Sequence, residues 1–202
     1  MAIDEGYIKY VSRWTEGPAP AAALTAELER WRKPLFDAGL VGHYADLGVG
    51  YGNLSIRAGE PGQFIITGTQ TGHLERTAPG HYALVTKTDI VHNTVWSTGP
   101  VRASSEAMTH AAIYALSTAI NAVVHVHSAA LWQRWRDVLP TTGADVPYGT
   151  PAMAAEFTRL WTSGHFRESG LAVMAGHEEG IVSIGQDLAE AAERVLALAA
   201  SD

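Results

Sequence analysis

The sequence predicts an α/β domain built in layers, on three observations. Several segments carry apolar residues at helical spacing, short β-branched runs stand between them, and the two kinds mix through residues 81–184. Amphipathic helices and apolar strands bury their faces by stacking as layers. At 202 residues the chain fits one domain with a sizeable core. No internal repeat or low-complexity tract divides it.

Residues 1–23 are expected to form an N-terminal arm and residues 24–202 a single domain. Residues 1–20 read as exposed, and Pro18 and Pro20 break any early helix. A helix is predicted over 25–38, with Leu24, Leu28, Trp31 and Leu35 on one face and Gly39 as its stop. After the glycine-rich LGVGYGN come two strand-like runs, NLSIRA and QFIITG, read as a hairpin joined through GEPG. HYALVTKT, residues 81–88, alternates as a strand, and a loop with Gly99 and Pro100 follows. Ser104 and Ser105 then precede the helical EAMTHAAIYALST and are placed to cap it. Residues 122–126 read as a buried strand and 129–138 as a short helix. A helix over 150–163 has Pro151 in its first turn. Strands are predicted at 171–175 and 181–184, and a last, alanine-rich helix at 187–200, capped by Asp187.

Composition narrows the function classes. The net charge of −7 argues against a general nucleic-acid binder, which needs a basic face. The absence of cysteine excludes disulfides and thiolate ligands, and a cytoplasmic location is the natural expectation. MAIDEGYIKY lacks the positive segment and apolar run of a secretory signal. No 18-residue apolar run exists, so no membrane-spanning helix is expected.

AVVHVHS, residues 122–128, ends an apolar run with His125 and His127 one residue apart. Residues i and i+2 of a strand point the same way, so both imidazoles leave one side of the strand end. Convergence suits a metal. It equally suits two histidines that are each hydrogen-bonded, and spacing alone leaves both readings open. Glu106 opens the preceding helix. A helix that runs back over a sheet returns its start toward the far end of the next strand, which allows the carboxylate and both imidazoles to meet. His177, in the turn GHEEG after the strand LAVMA, could supply a third imidazole. Three histidines and a carboxylate are a zinc-type set, with manganese, iron or cobalt as alternatives.

The chain resembles the class II aldolase/adducin family, which includes fuculose-phosphate aldolase and ribulose-phosphate 4-epimerase. The matching pieces are GNLSIR (52–57), IITGT (65–69), SSEAMTHAAIY (104–114), AVVHVHS (122–128), PYGTP (147–151) and GHEEGIVSIGQDLAEA (176–191), in the family's order. The spacings from Glu106 to His125 and His127, 19 and 21 residues, match, as do His110 and Tyr114 on the Glu106 helix.

The resemblance implies a three-layer α/β/α sandwich around a central, mainly antiparallel sheet, commonly in a homotetramer. It implies one divalent metal per chain, most often zinc, on His125, His127 and His177. Glu106 is then the acid/base and a fourth ligand at rest. The implied function is a metal-dependent lyase acting through an enediolate on a small hydroxy-carbonyl or sugar-phosphate substrate. A divalent cation stabilises that negative charge, and a carboxylate moves the proton. Phosphate-binding positions carried over from the family are Gly52, Asn53, Thr69, Ser104 and Ser105. By themselves the two serines read as helix caps and GYGN as a tight turn. Arg102 either adds charge to an anion or is solvated. Epimerisation, dehydration and decarboxylation share the same chemistry, and a non-catalytic, adducin-like assembly domain is the alternative of a different class.

The chain departs from the family at four places. The Thr-Pro-Ser/Thr-Gly loop is replaced by Thr67-Gly68-Thr69-Gln70-Thr71-Gly72, where Gln70 or Gly72 takes the glycine's place. The segment between Ser128 and Gly149 is short, with Tyr148 its one tyrosine. A C-terminal tail bearing a further tyrosine is expected to be lacking. The third-ligand turn, GHEEG, is two residues longer than usual, and Glu178 and Glu179 are expected to face solvent. His43, His73, His81, His92 and His165 have no ligand spacing and are expected on the surface or in loops. His110 is either near the site or structural, and Leu131, Trp132 and Trp135 form a core or interface patch.

Overall fold

The structure, a computed structural model, describes residues 6–201. In chain order it contains β1 (Val11–Thr15), α1 (Ala22–Asp37), β2 (Gly42–Tyr44), β3 (Val49–Tyr51), β4 (Asn53–Arg57), β5 (Phe64–Thr67) and β6 (Tyr82–Asp89). β7 (Thr94–Thr98), α2 (Ala107–Leu116), β8 (Ala122–His127), α3 (Ala129–Trp135), α4 (Pro151–Thr162), α5 (His165–Ser169), β9 (Leu171–Val173), β10 (Gly180–Gly185) and α6 (Leu188–Ala200) follow. Eight strands form one sheet in the order β1-β7-β6-β5-β4-β8-β10-β9, and β2 and β3 pair separately.

The predicted layers are present. One core lies between the sheet and α2, α4 and α5, with Met108, Ile113, Phe157 and Phe166 among its residues. A second lies on the other face under α1, α3 and α6, with Leu28, Leu35, Leu131 and Val195. β8 is buried along its whole length. Val123 joins the first core and Val124 and Val126 the second, as the period of two requires. The odd-numbered His125 and His127 therefore face the α2 side.

The sheet is mainly antiparallel, and the hairpin of β4 and β5 forms as predicted. β1 pairs with β7 in parallel, in register Val11↔Thr94 to Thr15↔Thr98. This corrects the expectation of an exposed arm over 1–20, of which residues 1–5 lie outside the described residues. The segment from Val11 to Thr15 is an edge strand whose side chains alternate between exposed and half-buried, and Tyr10 is buried before it. β7, read as loop, pairs on both sides. The short α5 was not predicted, and α3 stops at Trp135 instead of running to residue 138.

In α1 the buried stripe is Thr25, Leu28, Arg32 and Leu35, so Arg32 takes the place predicted for Trp31. Its guanidinium donates to the carbonyls of Leu74 at 2.6 Å and Thr71 at 3.2 Å. An arginine is tolerated in the core because carbonyls satisfy its donors, and it ties α1 to the loop after β5. Among the described residues no helix is long and apolar enough to cross a membrane.

Candidate active site

The site forms where the ends of β4, β8 and β10 meet the start of α2. Asn53 of β4 pairs with His125, and Val182 and Gly180 of β10 pair with His125 and His127. The turn before β10 carries His177. Its amide donates to Met174 and its carbonyl accepts from Gly180, which closes the turn over β8. Gly180 permits this approach, because a Cβ there would lie 3.1 Å from His125 Cε1.

The three imidazoles converge. One donor nitrogen from each of His125, His127 and His177 lies within 4.8 Å of the others, and none of the rings is more than 4% exposed. His125 Nδ1 faces the Ile181 carbonyl at 3.2 Å, so that nitrogen carries a proton and Nε2 is the one turned to the other imidazoles. Nε2 of His125 lies 3.0 Å from Nε2 of His127. Nitrogens bound tetrahedrally to one zinc ion are about 3.3 Å apart. The donor set and its spacing therefore fit a divalent cation.

Glu106 is the N-cap residue of α2 and fully buried. Its Oε1 lies 3.1 Å from His177 Nδ1, yet neither carboxylate oxygen has a hydrogen-bond partner of good geometry. Burial alone would raise the carboxyl, but the attraction of His177 and His125 outweighs it and holds the group at about 2. Glu106 is thus a carboxylate near neutrality, which suits both a base and a cation ligand.

Gly52, Asn53, Thr69, Ser104 and Ser105 line one small pocket, together with Gly68, Gln70, Thr71 and Gly72. The Ser104 hydroxyl accepts from the Glu106 amide just ahead of the helix, but the N-cap position falls to Glu106 and no side chain caps the helix, which corrects the expected serine cap. Tyr10 Oη donates to the Ser104 carbonyl from the N-terminal side. In the altered loop Gln70 holds the left-handed backbone, with φ 61°. Gly72 is required for a different reason: a Cβ there would stand 2.0 Å from the Gly42 carbonyl oxygen. Gly72→Ala should cost about 1–3 kcal/mol by overpacking, whereas Gly80→Ala, which meets nothing within 4 Å, should be near neutral. Urea unfolding of the two variants checks the contrast.

Two aromatic neighbours were not anticipated. Tyr148 is buried and stacks on His177 with centroids 4.3 Å apart, and Lys9 Nζ lies 3.7 Å from the Tyr148 ring centroid. Tyr44 of β2 lies with its hydroxyl 3.2 Å from His127 Nδ1 and donates to Glu179 Oε2. The expectation that both turn glutamates face solvent therefore fails for Glu179; Glu178 is exposed as expected. Both tyrosines reach the site through loops or short strands, where no periodicity marks them. His110 is buried on α2, with Nδ1 2.7 Å from Ser55 Oγ, which also meets Tyr114 Oη at 2.8 Å. Arg102 is exposed, 5.7 Å from the Trp14 ring. His43, His73, His92 and His165 are exposed and His81 half-buried. Leu131 is core, with Trp132 and Trp135 packed against it at the edge. A larger groove of about 740 Å³ between α1 and residues 76–79 contains none of the predicted site residues.

The sequence matches the family described as the class II aldolase and adducin N-terminal domain over residues 38–201. No curated protein matches it. Among solved structures it is similar to L-fuculose 1-phosphate aldolase, at 19% identity and TM-score 0.65, covering 91% of this chain and 86% of that one. It is similar to YgbL, a putative aldolase/epimerase/decarboxylase from Klebsiella pneumoniae, at 21% identity and TM-score 0.64, covering 89% and 86%. A sugar-phosphate aldolase from Thermotoga maritima aligns at 19% identity and TM-score 0.64, covering 89% and 91%.

Proposed function

The chain belongs to the class II aldolase and adducin family, and on that premise we propose that it is a divalent-metal-dependent lyase of the aldolase type. The substrate is a small hydroxy-carbonyl compound or sugar phosphate, and the reaction passes through an enediolate. The observation that carries this reading is the convergence of three buried histidines beside a buried carboxylate.

His125, His127 and His177 would hold one cation, zinc by preference, with manganese, iron or cobalt as substitutes, and Glu106 would join them at rest. When bound, the cation supplies positive charge that stabilises an enediolate. Glu106 takes the proton next to the substrate carbonyl and returns it, which its ionised state permits. Gly52, Asn53, Thr69, Ser104 and Ser105 bind the phosphate or another anionic end, since their pocket opens at the start of α2, where the helix dipole favours negative charge. A cytoplasmic homotetramer is the assembly we favour. Epimerases, dehydratases and decarboxylases can share this chemistry. A non-catalytic, adducin-like role gives no reason to keep all four groups in one buried cluster.

The test is a calorimetric titration of zinc-loaded protein with phosphoglycolohydroxamate, which chelates through two oxygens and carries a phosphate. Binding with a Kd of about 1 μM or tighter that disappears with chelator is expected. Zinc without analogue binding would overturn the phosphate pocket, and protein that takes up no divalent metal would overturn the enzyme reading.

A further inference from the structure

We propose that Tyr44 and Glu179 are positioning residues for His127, fixing which of its nitrogens is presented to a cation. The inference rests on the metal-dependent reading above.

Proton counting carries the argument. Tyr44 has one hydroxyl proton, and it is donated to Glu179 Oε2. A carboxylate has no proton to return. Toward His127 Nδ1, 3.2 Å away, the phenolic oxygen can then only accept. His127 is therefore protonated on Nδ1 and bare on Nε2, the nitrogen that faces His125 Nε2 at 3.0 Å. His125 is oriented through the main chain, with its Nδ1 donating to the Ile181 carbonyl. His127 depends on two side chains instead, and a substitution can remove either.

The elements that carry these side chains are held in place. Tyr44 packs on Tyr51 across the β2–β3 ribbon, with centroids 4.5 Å apart, and the Tyr51 ring lies 5.7 Å from His127. The Glu179 carbonyl accepts from the Ser128 amide at 3.0 Å, which fixes the turn beside the end of β8. Glu179 has φ 67°, a left-handed backbone that favours glycine. A glutamate kept there is unfavourable for the turn, and its carboxylate is the part that meets Tyr44. The GHEEG insertion thus supplies an outer partner for the metal-binding cluster, by the general rule that such partners orient ligating histidines.

The first experiment is zinc affinity of the full chain by competition with a chromophoric chelator, for the wild type, Tyr44→Phe and Glu179→Gly. Each variant should bind zinc about 10–100-fold more weakly, and the double variant should lose little more, because the two act in series. Glu179→Gly also separates the roles. If Glu179 only shaped the turn, glycine at φ 67° would leave zinc affinity unchanged and raise thermal stability. The second readout needs no metal: nitrogen-15 correlation spectra should show His127 as the Nδ1–H tautomer in the metal-free wild type. Variants binding zinc within about twofold of the wild type, or an Nε2–H tautomer in the wild type, would overturn the inference alone. A wild type that binds no zinc would overturn the metal-dependent reading as well.

Discussion

Replacing His125 and His127 together with alanine should take the protein from close to one divalent ion per chain to less than about a tenth of one. Three-coordination by protein is the minimum usual for a catalytic zinc site, and the double variant keeps only His177 and Glu106. Those two lie 3.1 Å apart and would remain as an isolated ion pair. Elemental analysis after gel filtration reads the result directly. Circular dichroism must show that the variant is folded, since both imidazoles sit in the buried strand β8. Truncation opens space there but leaves intact the valines that join the strand to both cores. A folded variant that retains a full equivalent of metal would place the cation elsewhere and overturn the proposed site. Metal loss with an intact fold would show that the fold does not depend on the ion, as expected for a domain with two apolar cores of its own.

The metal-free protein should lose stability steeply as pH falls below about 6.5, and His110 should be a principal cause. Burial first, and then the positive charge of His125, depress His110 from its ordinary 6.5 to about 3, against the opposing attraction of Glu106. An unfolded chain takes up this proton below 6.5, while the folded chain does not until about 3. The stabilising contribution is therefore complete above 6.5 and is lost as pH falls toward 3. One such proton is about 1.4 kcal/mol per pH unit inside that window. His127 shifts in the same direction, through burial and the charges of His177 and His125. Glu106, held at about 2 against an ordinary 4.5, extends the loss below pH 4.5. Urea titrations in the presence of chelator, at several values from pH 7 to pH 4, measure the slope. His110→Phe should be less stable at pH 7, because the buried Ser55 hydroxyl loses a partner. Its slope against pH should be shallower by about one proton. Parallel slopes for variant and wild type would remove His110 from this account.

Much of the architecture was legible because its causes are local. The helix over residues 187–200 shows its apolar stripe and its Asp187 cap in the sequence, and α6 has both. The buried run at 122–126 is a central strand because it packs on both faces, as β8 does. Pro151 marks the start of α4. β1 was not legible, since a five-residue edge strand with alternating exposed side chains has no apolar signature. Its reason to form is the free edge of β7, which lies far from it in sequence. Arg32 illustrates the same limit. Periodicity placed Trp31 inward, but the carbonyls of the loop after β5 make a buried arginine the better satisfied choice.

The candidate site divides in the same way. The His-x-His pair, the glutamate at the helix start and the histidine of the following turn were identified by residue type, order and spacing, because a period of two and a helix that returns over a sheet are properties of backbone geometry. The sequence by itself thus determined the layered α/β class, the family and the short set of side chains able to form the cluster. Only the tertiary structure decided which further groups surround it. Tyr44 lies 83 residues from His127, Glu179 lies 135 residues from Tyr44, and Tyr148 is also remote in sequence from His177. Tyr44 and Tyr148 arrive on a short ribbon and a loop, and the Glu179 carboxylate accepts from the Tyr44 hydroxyl. Such contacts follow from how separate elements pack, and no local pattern encodes them.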